Sequence, residues 1–235
     1  MLPRERVISV IRHQRPDRVP VYGWVRRNLE DSIVRTFGSV EAFEDKYEFD
    51  LAHVFGGPSP YPEKKLFAVR REKGDVEPAD LLDIPMSDVN NTAAYDSLRK
   101  DIQFHKQDRG RFVYVQTPGI FECLNKPFGI ENHLAYLLLF PEELKQVYGR
   151  QAEWNRQFAL NCLDLGADMI HVSDDWGAQK DLMFSPETWR TMIVPYHRTV
   201  CKAVQSRNGF LSLHSDGNIS AVADELPEQI GRAHV

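Results

Sequence analysis

The sequence lacks the features that direct a chain into a membrane or onto nucleic acid. Its longest apolar run, residues 134–140, is far too short to cross a bilayer. The charged N-terminus is not followed by the apolar segment of a signal peptide. Acidic and basic residues are interspersed and give a net charge of -5, so no basic patch predicts nucleic-acid binding. We therefore expect neither a membrane nor a nucleic acid among its partners.

Cysteine is also scarce. The three cysteines, Cys123, Cys162 and Cys201, are far apart and form no Cys-x-x-Cys pair. An odd number of widely spaced cysteines favours reduced thiols over disulfides, and reduced thiols are typical of the cytoplasm. The sequence thus predicts a cytoplasmic protein whose cysteines have structural roles.

Two stretches combine a short apolar run with an abrupt polar end. Residues 169–172 are followed by Ser-Asp-Asp-Trp-Gly, and residues 210–213 are followed by His-Ser-Asp-Gly-Asn. A segment of helix length separates them. The order strand, polar loop, helix, strand, polar loop is typical of parallel α/β proteins, in which catalytic groups lie where strands end. The pattern predicts one active-site edge.

The rest of the chain extends this α/β organisation. Short apolar runs predict five strands, at residues 19–22, 50–55, 111–116, 169–172 and 210–213. A long helix is predicted to open at Pro141, and its apolar stripe is broken by Gln151. A proline-rich insert at residues 56–92, with a small strand expected at 66–70, is predicted to form a lid or rim.

Five strands do not close an eight-stranded barrel. A (β/α)8 barrel typically needs about 250 residues, and this 235-residue chain uses many of them in its N-terminal helix and its insert. We interpret residues 1–229 as one partial TIM-type barrel domain, with about five of eight strand–helix units, and expect it to fold poorly alone. Residues 230–235 resemble translated adapter sequence and are predicted to be a non-native tail.

A set of ordered motifs carries a resemblance to a known family. They are Arg-Glu-Arg-Val from residue 4, Pro-Asp-Arg-Val-Pro-Val from residue 16, Leu-Gly-Ala-Asp from residue 165, Asp-Asp-Trp-Gly-Ala-Gln from residue 174, Ser-Pro-Glu-Thr-Trp from residue 185 and His-Ser-Asp-Gly-Asn from residue 214. On these motifs the chain resembles the uroporphyrinogen decarboxylase superfamily, which includes that decarboxylase and the corrinoid- and coenzyme M-linked methyltransferases. The resemblance implies a TIM barrel of this superfamily's type.

Two departures distinguish the chain from the main branches of that superfamily. The decarboxylases carry an arginine-rich loop after the first strand that clamps propionate carboxylates. Here the loop holds only Arg26 and Arg27, which are the candidates for binding an anionic substrate. The zinc methyltransferases place His-x-Cys after the fifth strand, whereas here His214 is present but Asp216 stands at the cysteine position.

His214 and Asp216 are the predicted metal ligands. They lie two residues apart at a strand end, so both can face one pocket, and imidazole and carboxylate are ordinary ligands of zinc. A site of nitrogen and oxygen donors can also hold another divalent ion. The alternatives are an active-site role without a metal, or a helix cap at Asp216 with His214 hydrogen-bonded to a loop.

Three aspartates are the catalytic candidates. Asp174 and Asp175 follow one predicted strand, and paired carboxylates can shift a pKa for acid–base work or hold a cation. One of the two can equally cap a turn. Asp50, at the second predicted strand, is expected to face the same site.

Further residues are assigned by their position near these strand ends. Trp176 is predicted to form a wall of the substrate pocket and Gln179 to hydrogen-bond the substrate; a surface tryptophan and a loop contact are the alternatives. Other histidines are expected to be peripheral: His13, His105, His133 and His197.

The resemblance and its departures favour the methyltransferase branch. We predict methyl transfer involving a small-molecule substrate and a corrinoid carried by a partner protein. A divalent metal such as zinc would bind His214 and Asp216, and Asp174 or Asp175 would position the acceptor. The first alternative is decarboxylation of uroporphyrinogen or a related acid, which needs no cofactor. The second is a non-catalytic tetrapyrrole-binding protein.

Overall fold

Four of the predicted strands lie side by side in one parallel sheet. The computed structural model describes residues 1–229, and its strands are β1 (Leu51–Val54), β2 (Phe112–Pro118), β3 (Met169–Ser173) and β4 (Phe210–His214). Their order is β1-β2-β3-β4, and every neighbouring pair is parallel. Ser173 aligns with His214 at the carboxyl ends of β3 and β4. The predicted α/β class is therefore confirmed.

Helices connect the strands and flank the sheet. They are α1 (Pro3–Ile11), α2 (Arg27–Phe37), α3 (Val40–Lys46), α4 (Glu63–Lys73), α5 (Pro78–Asp83), α6 (Asp96–Gln103), α7 (Asn125–Phe128), α8 (Ile130–Leu139), α9 (Pro141–Asp164), α10 (Pro186–Thr188), α11 (Val194–Ser206), α12 (Ser220–Ala223) and α13 (Leu226–Gln229). Within residues 1–229, none of the helices has the length and apolar character that a membrane crossing requires. The predicted tail, residues 230–235, lies outside the described residues.

The predicted strand at residues 19–22 is wrong. This segment has no regular secondary structure and pairs with no strand among residues 1–229, and Val19 is 80% exposed. It meets the sheet through Val21, whose amide donates to Asp50 Oδ2 (2.7 Å) and whose carbonyl accepts from the Asp50 amide (2.8 Å). The described sheet consequently has four strands rather than five.

The predicted small strand at residues 66–70 is also wrong, because these residues belong to α4. The helix has Glu63 in its first turn and Arg70, Arg71 and Lys73 in its last, an arrangement that complements the helix dipole. It ends at Gly74, whose φ of +81° is accessible to glycine. The insert at residues 56–92 therefore holds helical structure in α4 and α5.

Helices cover one face of the sheet. Successive side chains of a strand point to opposite faces, and one alternate set packs against α6, α9 and α11. This core is fully buried; among its members are Val113, Val115, Ile170, Phe158 and Val204. Burial of each such side chain contributes about 1.5–3 kcal/mol. The sheet therefore forms a rigid support for the loops at its edge.

The opposite face of the sheet is apolar at its amino end and polar toward its carboxyl end. Val7 of α1 packs there on Phe112 and Tyr114. Further along the same face, His171 Nδ1 lies 2.7 Å from Ser212 Oγ. α1 thus covers the amino end of this face, and polar groups occupy the end from which the loops emerge.

The expectation that His133 and His197 are peripheral is wrong, because both are buried. His133 Nδ1 lies 2.7 Å from Asn125 Oδ1, and its Nε2 lies 2.7 Å from the hydroxyl of Tyr148. Its ring stacks on Phe121 with 4.5 Å between centroids. A buried polar side chain needs such partners, and they come from elements that the local sequence pattern does not connect.

Burial of His133 predicts a loss of stability in mild acid. Desolvation lowers the pKa of His133 from 6.5 to about 3 in the folded protein. Between these two pH values the unfolded chain binds more protons, so the free energy of unfolding decreases as the pH falls below 6.5. We expect His133→Gln to reduce this decrease by up to about 1.4 kcal/mol per pH unit. Urea unfolding at pH 7.5, 6.0 and 5.0 measures it; identical pH slopes in both proteins would contradict the prediction.

Candidate active site at the carboxyl edge of the sheet

Two glycines bring the loops after β3 and β4 into direct contact. A Cβ atom on Gly177 would lie 2.6 Å from the Asp216 carbonyl oxygen, and one on Gly217 would lie 2.3 Å from the Gly177 carbonyl oxygen. Gly217 also has a φ of +78°, which glycine adopts without strain. The Gly177 amide donates to the Asp216 carbonyl (3.2 Å). Because neither position accommodates a side chain, the two loops can cross closely.

This crossing assembles a cluster of Asp175, His214 and Asp216. His214 Nε2 lies 3.2 Å from Asp216 Oδ1 and 3.7 Å from Asp175 Oδ1. The Asp216 amide donates to Asp175 Oδ1 (2.7 Å) and holds that carboxylate in place. One donor atom from each of the three residues lies within 4.8 Å of the others. The predicted ligands His214 and Asp216 are therefore adjacent, and Asp175 is the third member.

The donor set of this cluster fits a divalent cation. An imidazole nitrogen and two carboxylate oxygens are ligands that Zn²⁺ accepts, and three protein ligands leave an open position of the kind that catalytic sites use. The side chains of His214 and Asp216 are 46% and 77% exposed, so an ion or substrate can reach them. The cluster carries no thiolate, and such a nitrogen and oxygen set can also take other divalent metals.

Asp174 does not share this site with Asp175. Its carboxylate is fully buried and accepts from the amides of Phe121 (2.9 Å) and Glu122 (2.7 Å) and from the indole of Trp176 (2.8 Å). His197 Nε2 lies 2.6 Å from its Oδ2. Burial favours the neutral acid, but these hydrogen bonds outweigh burial and keep the pKa of Asp174 below its usual value. Asp174 therefore joins loops beneath the pocket, in line with the alternative that one of the two aspartates caps a turn.

Trp176 is likewise a core residue rather than a pocket wall. It is fully buried, and its ring packs edge-on against Trp189, with 5.7 Å between centroids, and against His197, with 5.2 Å. Gln179 lies exposed in the loop after β3. A tryptophan beside a glycine turn can point into the core or toward the solvent. Here it points into the core, where the indole N–H donates to Asp174.

Asp50 lies at the wrong edge of the sheet for the predicted role. It directly precedes β1, so it stands at the amino end of the strand, whereas the cluster stands at the carboxyl ends. Its buried carboxylate pairs with Arg6 and with Arg18, whose Nη1 is 2.7 Å away. A buried charge needs such pairing. Asp50 therefore anchors the N-terminal segment to the sheet.

Arg26 and Arg27 are exposed at the start of α2. The Arg26 guanidinium lies over the ring of Trp24, 5.6 Å from its centroid. Trp24 in turn contacts His53 of β1, with 5.7 Å between centroids. Arg26 is thus connected to the polar face of the sheet through an aromatic side chain, and both arginines remain candidates for an anionic group.

Three histidines form a row across the polar face of the sheet. The rings of His53 and His171 are 5.5 Å apart, and those of His171 and His214 are 6.1 Å apart. Burial, assisted by His171, lowers the pKa of His53 to about 4. Burial, assisted by His214, also lowers the pKa of His171. Imidazole rings therefore link β1 to the cluster at the end of β4.

A cavity of about 530 Å³ opens beside the cluster at the ends of β1, β2 and β3. Ser173 and Glu122 form part of its wall, and the Ser173 hydroxyl donates to Glu122 Oε2 (3.1 Å). Burial, followed by the nearby charge of Asp175, raises the pKa of Glu122. The volume of the cavity lies in the range of small-molecule sites. The cluster and the cavity therefore adjoin at this wall.

Sequence reasoning missed the main polar residues of the cavity. Glu122 follows the Thr-Pro-Gly sequence that ends β2, so its position after a strand was an available signal. Gln151 interrupts the apolar stripe of α9, and the structure buries it completely at the cavity. Tyr61 gave no such signal, because it lies in the irregular start of the proline-rich insert.

Comparison with known proteins agrees with the sequence-based resemblance. Residues 125–234 match the family model described as uroporphyrinogen decarboxylase. The chain is similar in structure to a methyltransferase from Methanosarcina mazei, with a TM-score of 0.68 and 14% sequence identity, covering 99% of this chain and 75% of that one. At this identity the likeness concerns the fold. No curated protein matches the chain. The family match confirms the predicted resemblance to the uroporphyrinogen decarboxylase superfamily.

Proposed function

We propose that this chain is a methyltransferase-like enzyme that acts on a small molecule at the carboxyl edge of its parallel sheet. The observation that carries the proposal is the Asp175, His214 and Asp216 cluster, whose donor atoms lie within 4.8 Å of one another beside a cavity of about 530 Å³. The structural likeness to a methyltransferase supports it. The four strands and their helices would be part of a TIM-type barrel, in which this edge carries the chemistry.

Asp175, His214 and Asp216 would hold a divalent ion such as zinc. When bound there, the ion would favour the thiolate over the thiol of an acceptor, and the thiolate is the nucleophilic form. The protein's own contribution is to orient the ligands: the Asp216 amide holds Asp175, and the Gly177–Gly217 crossing holds both loops. Such supporting contacts orient the residues that bind the ion directly and so affect metal affinity and activity.

The reaction would proceed by direct displacement at the methyl carbon. The bond from the methyl carbon to its donor atom breaks as the bond to the acceptor sulfur forms, and the donor atom keeps the electron pair. Alignment of the two reactants contributes much of the rate in such a step. The wall of Ser173 and Glu122 lies between cluster and cavity. It is placed to position one reactant against the other.

A corrinoid carried by a partner protein would supply the methyl group. Decarboxylation and simple tetrapyrrole binding have less support from the site. Both would be expected to use cations for propionate carboxylates, and among the described residues lining the cavity the one cation, Lys126, has its Nζ 2.5 Å from Glu63 Oε1. Arg26 and Arg27 would have to supply such contacts from α2.

A methyl-transfer assay tests the proposal. Methylcobalamin would serve as methyl donor and 2-mercaptoethanol, a neutral thiol, as acceptor, with the S-methyl product measured by mass spectrometry. We expect turnover that requires added Zn²⁺ and is lost in His214→Ala, whereas His13→Ala, which changes an exposed histidine after α1, retains it. Absence of turnover in the folded, metal-loaded protein, or turnover that persists in His214→Ala, would refute the metal-dependent methyltransferase.

A further inference from the structure

Three buried polar atoms at the cavity have no hydrogen-bond partner among the described residues. They are the Tyr61 hydroxyl, Thr117 Oγ1 and Gln151 Oε1, and all three residues line the cavity. Each residue is at least 95% buried. A buried polar group without a partner is destabilising, and native proteins almost always satisfy such groups. The three residues share the cavity. Because their unpartnered atoms have almost no accessible surface, a partner that entered the cavity would reach them by rotation of these side chains.

A chain of hydrogen bonds determines which atom Gln151 presents. Asn155 Nδ2 donates to the carbonyls of Pro118 (2.8 Å) and Gly119 (3.2 Å). Because backbone carbonyls only accept, the amide nitrogen of Asn155 must face them. Its Oδ1 then accepts from Gln151 Nε2 (2.7 Å). The atom left without a partner is therefore Gln151 Oε1, which is an acceptor, so its matching partner is a group that donates an N–H or O–H.

The charges around the cavity disfavour an anionic ligand. Its charged lining residues in the described chain are Glu63, Glu122 and Lys126, and Lys126 pairs with Glu63. The remaining carboxyl group, Glu122, would repel an anion if it is ionised and would offer no cation if it is neutral. Much of the lining is apolar, including Phe55, Leu66 and Phe158. A neutral, partly apolar molecule matches this surface.

We propose that the cavity binds a neutral organic molecule through a hydroxyl or amide N–H group that donates to Gln151 Oε1, with the hydroxyls of Tyr61 and Thr117 selecting the same polar group. These three residues would determine substrate specificity. The inference deepens the proposed function, since it takes the cavity as the substrate pocket of that enzyme. It concerns binding alone, however, and it can be tested on the metal-free protein.

The test compares small aromatic probes of one size in the metal-free protein. Benzyl alcohol and benzamide carry a neutral donor, benzyl methyl ether and toluene carry none, and benzoate carries a negative charge. We expect the two donors to bind at least about tenfold more tightly than the other three, a difference of about 1.4 kcal/mol. Saturation-transfer NMR with competition gives the dissociation constants. Equal binding of all probes, tighter binding of benzoate, or no binding of any probe would overturn the inference.

Variants at the three residues separate a binding role from a structural one. Thr117→Val and Tyr61→Phe remove the unpartnered hydroxyls, so we expect each to raise Tm by about 2–4 °C and to weaken benzyl alcohol binding severalfold. Gln151→Met should abolish the preference for donors. The matched control is Tyr95→Phe, because the buried Tyr95 hydroxyl already donates to the Val89 carbonyl (2.7 Å); it should lower Tm and leave probe binding unchanged. If Thr117→Val and Tyr61→Phe lowered Tm and left probe affinities unchanged, the hydroxyls would have only a structural role and the inference would fail.

The same measurements distinguish this inference from the proposed function. Probe binding in metal-free His214→Ala should equal that of the unmodified chain, because His214 does not line the cavity. If hydrogen-bond-donating probes bind selectively but no methyl transfer occurs, the inferred binding role of the cavity stands and the proposed enzyme activity is refuted. If methyl transfer occurs but the probes bind without preference for hydrogen-bond donors, the proposed activity stands and the inference about the cavity is refuted.

Discussion

Replacing His214 with alanine should weaken the binding of a divalent metal by at least about 100-fold. Loss of a residue that only supports a metal ligand already lowers metal affinity about 10–100-fold, and His214 would be a ligand itself. The imidazole supplies the one nitrogen donor of the Asp175, His214 and Asp216 cluster. Two carboxylates remain, and at neutral pH they bind a transition metal much less firmly without it. Competition with a chromophoric chelator gives the affinity for Zn²⁺, and elemental analysis after dialysis gives the stoichiometry, expected to be one ion per chain.

His13→Ala serves as the control for this experiment, because it also removes one exposed imidazole. His214→Ala should not disturb folding, since the side chain is 46% exposed and surface substitutions usually change stability by about 0.5 kcal/mol or less. Metal retained at full stoichiometry in a folded His214→Ala protein would show that the ion binds elsewhere. A chain that binds no metal in either form would remove the metal from the proposed mechanism.

Asp174→Asn should lower the free energy of unfolding by about 1–3 kcal/mol, the cost of leaving a buried hydrogen-bonding group unsatisfied. Asp174 accepts from two amides, an indole and His197. An asparagine amide would turn a donor toward one of these donors. The ionised carboxylate stabilises the folded state above the ordinary pKa of an aspartate, and this contribution is lost as the pH falls through its lowered folded pKa. Urea unfolding at pH 7 measures the difference.

The neighbouring substitution Asp175→Asn should reduce metal affinity and have little effect on stability. Asp175 is partly exposed, and an asparagine oxygen can still accept from the Asp216 amide, so we expect a stability change of about 1 kcal/mol or less. Metal affinity should fall instead, because the cluster loses a charged ligand. Equal destabilisation by both substitutions, or equal loss of metal, would contradict the division of roles between these adjacent aspartates.

Those two aspartates show where the sequence pattern stops being informative. The apolar run and the polar residues after it predicted β3 and its loop, and the prediction of a polar strand end was confirmed. The pattern did not indicate that Asp174 turns inward, because its partner His197 lies 23 residues away on α11. Asp50 opens the predicted strand at residues 50–55, so that boundary already placed it at the amino end, opposite the cluster, and the expectation that it faces the site did not follow from the pattern.

The sequence by itself determined the α/β class, the parallel strands from residue 51 onward and the convergence of His214 and Asp216 at a strand end, because these depend on local periodicity and spacing along one chain. Only the tertiary structure decided that Asp175 joins them through the contact of Gly177 with Gly217. It also decided that Tyr61, Thr117 and Gln151 share one cavity. Such contacts join loops and helices that are distant in sequence, and their geometry is set by packing against a common core rather than by any local pattern.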